Sequence, residues 1–101
     1  MMKYLLVEDE RFAYEEIKRM MQALRADYQM IGWAESVEQA VGFLKQGNID
    51  LMIVDIRLSD GISFEIFEQC PIEIPVIFLI ISNRKNKSDL PLTINKFKFI
   101  A

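Results

Sequence analysis

"LMIVDIRLSDG", residues 51–61, is the stretch on which the fold turns. Four apolar residues, Leu51 to Val54, run unbroken and stop on a carboxylate, Asp55. An unbroken apolar run of this length suits a strand covered on both faces, as in parallel α/β sheets. The same pattern occurs near the start of the chain. Tyr4-Leu5-Leu6-Val7 is closed by Glu8-Asp9-Glu10. Two apolar strands that both end on acids raise one question: what do the acids do there?

Between these strands the apolar period changes. Ala13, Ile17, Met20, Met21 and Leu24 fall on one helical face, with Glu15, Glu16, Lys18, Arg19 and Arg25 turned outward. Asp9 is placed to cap that helix, and acids towards its start and bases towards its end suit the helix dipole. Residues 28–34 are a second strand candidate. Ser36-Val37-Glu38-Gln39 has the form of a capping box, and Val37, Ala40, Val41 and Leu44 make the stripe behind it. Gly47-Asn48 ends that helix. Residues 63–69 read as a short helix with Phe64 and Phe67 as its contacts, stopped before Pro71. Pro75 to Phe78, extending towards Ile81, is a fourth strand.

The order β-α-β-α-β-α-β with short connections predicts a mostly parallel sheet with helices on both faces. Ligands of such sheets bind beyond the carboxyl ends of the strands. Glu8, Asp9 and Asp55 all fall at that edge. Acids after strands also serve as caps and solvated turn residues. Three together repel one another unless a cation intervenes, and a hard divalent ion with oxygen ligands is the natural resolution.

Composition narrows the chemistry. The chain has 101 residues, 51% of them hydrophobic, which is enough for one small domain. It has no histidine and one cysteine, Cys70. Histidine-dependent acid–base catalysis, most zinc sites and an internal disulfide framework are therefore excluded. Cys70 reads as a semi-buried residue before a loop. The longest apolar run near the fourth strand is too short to span a bilayer, and a cytoplasmic location without membrane association is expected. The charge is uneven: residues 1–78 carry 14 acids and 7 bases, whereas residues 79–101 carry 1 acid and 5 bases. That basic tail is too short to predict nucleic-acid binding.

"LLVEDE" followed by a helix, "LMIVDIRLSDG" and "IPVIF" together resemble the receiver domain of two-component response regulators. "VEDERFAYEEIKRMM" and "DIRLSDGISFEIFEQ" are most similar to receivers that precede a LytTR-type DNA-binding domain. The resemblance implies a flavodoxin-like, doubly wound parallel sheet, incomplete at its C-terminal end, with a receiver core at residues 1–78. It implies that Asp55 is the phosphoacceptor, taking a phosphoryl group from the phosphohistidine of a sensor histidine kinase. It implies Mg2+ as cofactor, held by Glu8, Asp9, Asp55 and the backbone carbonyl of Arg57. The absence of histidine fits, because the kinase supplies it.

The resemblance weakens after Phe78. The family's Thr or Ser at the end of the fourth strand falls on Ile80, which cannot donate a hydrogen bond. Ser82 lies two positions later, about 6–7 Å along a strand. The family's Lys at the end of the fifth strand falls near Ile100, with Lys96 and Lys98 close by. A shifted reading frame would account for an atypical tail at 79–101. A selected edge strand at 96–100 is the alternative. The rival to a phosphoacceptor is a receiver that is not phosphorylated and acts only as an interaction or homodimerisation module. A metal-dependent phosphatase is disfavoured because Asp55-Ile56-Arg57 lacks a second acid two residues after the nucleophile.

Overall fold

The computed structural model describes residues 2–55, 57–58, 60–81 and 94–100. Five strands form the main sheet: β1 (Lys3–Val7), β2 (Gln29–Ala34), β3 (Leu51–Asp55), β6 (Val76–Ile81) and β7 (Ile94–Ile100). Their spatial order is β2-β1-β3-β6-β7. The helices are α1 (Arg11–Leu24), α2 (Val37–Gln46) and α3 (Phe64–Gln69). Two short strands between β3 and α3, β4 (Arg57–Leu58) and β5 (Gly61–Ile62), form a separate antiparallel hairpin.

The expected layering is present. Alternate residues of β1 and β3 go to opposite faces, and each face has its own core. Leu5, Val7, Met52 and Val54 pack with Val37, Ala40 and Val41 of α2 and with Ile66 of α3. Tyr4, Leu6, Leu51 and Ile53 pack with Ile17 of α1. Both faces of these strands are buried, which is why their sequences are continuously apolar. In α3 the buried residue is Ile66, while Phe64 and Phe67 meet Phe78 edge to face at 5.1 and 5.6 Å.

Strand β2 approaches α2 unusually closely. The β1–β2 register shifts between Tyr4 and Leu5, so that Leu5 faces Gly32, Leu6 faces Trp33 and Val7 faces Ala34. A Cβ on Gly32 would lie 2.5 Å from Cε1 of Phe43. Any larger residue there would have to displace the Phe43 ring.

At α2 the Ser36 half of the capping box forms as read, while Gln39 reaches one residue past the cap. Ser36 Oγ accepts from Gln39 N–H at 3.1 Å, while Gln39 Oε1 accepts from Glu35 N–H at 2.8 Å. At α1 four readings need correction. The N-cap position belongs to Glu10, with no side-chain cap, because Asp9 lies in the acidic cluster instead. There is no acid in the first turn of α1 and no base in its last, so the dipole pattern is absent. Arg25 lies just past the helix and pairs with Asp27, holding that carboxyl below its ordinary range. The apolar stripe also overruns what it covers. Ala13 and Ile17 are buried, but Met20 is 40% and Leu24 72% exposed, the latter at the helix end.

Strand β7 lies at the edge of the sheet and runs antiparallel to β6. Ile100 therefore pairs with Val76, at the amino edge of the parallel strands, and Lys96 pairs with Ile80 near the carboxyl edge. Ile100, on which the family's lysine position falls, is thus at the edge opposite Glu8 and Asp55. Ser82 lies outside the described residues.

Candidate functional site

The site is built by strand direction. Strands β1 and β3 are parallel neighbours in the register Val7↔Val54. The next residue on each is an acid, Glu8 and Asp55. Asp9 follows where the chain leaves the sheet for α1. One carboxylate oxygen from each of Glu8, Asp9 and Asp55 lies within 4.8 Å of the others. Glu8 is fully buried, Asp55 is 6% exposed and Asp9 is half-buried. The three acids singled out in the sequence are thus brought to one place, at the carboxyl edge where the topology predicts it.

The loop holding Glu8 and Asp9 is fixed by several contacts. Glu8 N–H donates to the carbonyl of Ala34 at 2.9 Å, continuing the β1–β2 ladder by one rung. Glu8 Oε1 accepts from Glu10 N–H at 3.1 Å. The indole Nε1–H of Trp33 donates to the Glu8 carbonyl at 2.6 Å. The Trp33 ring stacks on Tyr14 of α1, with centroids 3.9 Å apart and planes 10° from parallel.

On the other side of Asp55, the β4–β5 hairpin pairs Arg57 with Ile62 and Leu58 with Gly61. Asp60 does not lead straight from the strand into the next helix. It sits instead in the hairpin turn and reaches α2. Its Oδ1 accepts from Val37 N–H at 2.8 Å and its Oδ2 from Glu38 N–H at 3.3 Å. The loop after Asp55 is therefore tied to the start of a helix 23 residues earlier. A carboxylate there satisfies two of the amides that open a helix and complements its dipole.

The donor set of the cluster is all oxygen, with no nitrogen or sulfur. Such a set suits a hard divalent cation of the Mg2+ type rather than a zinc or copper ion. Three carboxylates this close, two of them removed from water, need positive charge to balance them. Arg57 follows Asp55 by two residues and opens the β4–β5 hairpin.

The profile described as "Response regulator receiver domain" matches residues 4–97. A curated relative, "Sensory transduction protein LytT" from Bacillus cereus, is 39% identical over 66 residues, covering 65% of this chain and 26% of its own. The chain thus spans about a quarter of the length of the relative it matches. Among solved structures, the anti-anti-sigma factor PhyR from Bartonella quintana, in complex with the anti-sigma factor NepR, has a TM-score of 0.67. It is 26% identical, covering 98% of this chain and 41% of its own. The non-phosphorylated HemR receiver domain from Leptospira biflexa has a TM-score of 0.58 at 29% identity, covering 68% of this chain and 53% of its own. Among the described residues, no helix is long and apolar enough to cross a membrane.

Proposed function

Because the chain belongs to the response regulator receiver domain family, we propose that it is phosphorylated on Asp55 by a sensor histidine kinase in the cytoplasm, with Mg2+ bound by Glu8, Asp9, Asp55 and the backbone carbonyl of Arg57. The observation that carries this reading is the convergence of the three carboxylates within 4.8 Å at the carboxyl edge of two adjacent parallel strands.

The roles follow from position. Asp55 ends a rigid, fully packed strand, so its carboxylate is presented with little freedom to turn. A carboxylate oxygen of Asp55 forms the new P–O bond while the P–N bond of the donor phosphohistidine breaks. The electron pair of that bond returns to the imidazole, which takes a proton from solvent. Glu8 and Asp9 would hold the cation beside Asp55. When bound, the cation neutralises the phosphoryl oxygens, which is most of what phosphoryl transfer asks of a protein. The aspartyl phosphate adds about two negative charges to the edge of the sheet.

The test is intact-mass measurement after incubation with Mg2+ and a small phosphodonor such as acetyl phosphate. One phosphoryl group is expected on the wild-type chain, none on Asp55→Ala, and none when Mg2+ is chelated. A folded wild-type chain that takes no label would sink the proposal and leave the rival reading, an interaction module without phosphorylation.

A further inference from the structure

We infer that Trp33 is a positioning residue for the acidic site, fixing the Glu8–Asp9 peptide through its indole N–H; this rests on the Mg2+ reading above. The argument starts where β1 leaves the sheet. Glu8 N–H still bonds the carbonyl of Ala34, and the carbonyl of Glu8 accepts from the Trp33 indole N–H at 2.6 Å. The Glu8 backbone is therefore held from both its N–H and its C=O. With that peptide plane fixed, the direction in which Asp9 leaves the strand is fixed too.

The indole is itself locked. Tyr14 stacks on it at 3.9 Å, and Lys18 Nζ lies 5.7 Å from the Tyr14 centroid on the same helix. Trp33 thus closes a ring of contacts: from Glu8 along the chain to Tyr14, across the stack to Trp33, and back by a hydrogen bond to Glu8. The start of α1 has no side-chain cap of its own, so the clamp on this loop comes from outside the helix. A merely packed tryptophan needs any acceptor for its N–H. This one uses the carbonyl between two acids of the cluster. Partners that orient metal ligands without touching the metal are commonly worth tenfold or more in affinity.

Trp33 is the only tryptophan in the chain, so intrinsic emission reports on it alone. Mg2+ is titrated into the wild type, Trp33→Phe and Asp9→Asn, with binding followed by calorimetry and wild-type and Asp9→Asn emission recorded in parallel. Trp33→Phe keeps an aromatic ring against Tyr14 but loses the N–H. Its Mg2+ dissociation constant is expected to rise about tenfold, with a far-UV circular dichroism spectrum like that of the wild type. Wild-type emission is expected to shift along the calorimetric binding curve, and this shift is expected to vanish in Asp9→Asn. Equal Mg2+ affinity in the wild type and Trp33→Phe would overturn the inference alone. So would wild-type emission that stays unchanged while calorimetry shows saturation, a result that stands even if Trp33→Phe does not fold. Absence of Mg2+ binding by the wild type would overturn the metal reading and this inference with it.

Discussion

Strands β2, β1 and β3 lie on one side of the sheet and the β6–β7 pair on the other, and the two regions treat their chain ends differently. In the first region every strand runs the same way, so every carboxyl end comes to one edge, and acids that are 46 positions apart in sequence, Asp9 and Asp55, become neighbours. In the second region β7 turns back on β6, and its end goes to the opposite edge. Parallel pairing collects chain ends, whereas antiparallel pairing separates them. A functional edge made from strand ends therefore depends on direction as much as on residue type.

The largest effect is expected in the parallel region. Leu6 is fully buried between neighbouring strands, and Leu6→Ala should lower stability by about 2–5 kcal/mol, measured by urea unfolding. A loss under about 1 kcal/mol would mean that this region is less tightly packed than its burial indicates. A smaller effect is expected where the loop after Asp55 is pinned. Asp60→Ala removes the carboxylate from the amides of Val37 and Glu38 and should cost about 1 kcal/mol. Its unfolding midpoint should fall and its phosphoryl labelling should slow, because the hairpin carrying Arg57 is released. If only the midpoint changed, the clamp would be separate from the site.

The smallest effect probes the antiparallel margin. Lys96 pairs with Ile80, one row beyond the Leu79 that pairs with Asp55, whereas Lys98 pairs with Phe78, two rows back from Lys96. Lys96→Ala should slow labelling a few-fold and Lys98→Ala should leave it unchanged, read from time courses of intact mass. Equal behaviour of the two variants would remove any part for the reversed strand at the acidic edge.

Much of this arrangement was legible in the sequence because burial on two faces leaves a plain mark. Residues 4–7 and 51–54 are unbroken apolar runs, and the acids that end them are conspicuous for that reason. The helix at 37–46 was legible from Ser36 and Gln39, whose local hydrogen bonds need nothing from the rest of the fold. The direction of β7 was not. Alternation in residues 96–100 reports a strand with two unlike faces, and that period is the same whichever way the strand runs. Trp33 and Asp60 were missed for another reason. Each acts on a residue more than twenty positions away, Glu8 and Val37, and no local pattern encodes such a partner. Asp9 looked like a cap because Asp before a helix usually is one, and here the tertiary cluster outweighed the local preference.

The reversed edge strand also sets how the molecule should respond to a pull. Tension applied at residue 100 and directed away from the sheet meets the Ile100↔Val76 rung first, then the Phe99↔Ile77 rung, so β7 peels off one rung at a time. Strand β1 is gripped on both sides by parallel partners, and a load along its axis must slide the whole length past β2 and β3 together. One sheet thus holds a weak zipper at its margin and a strong shear joint at its centre, with Glu8 and Asp9 directly above the shear joint.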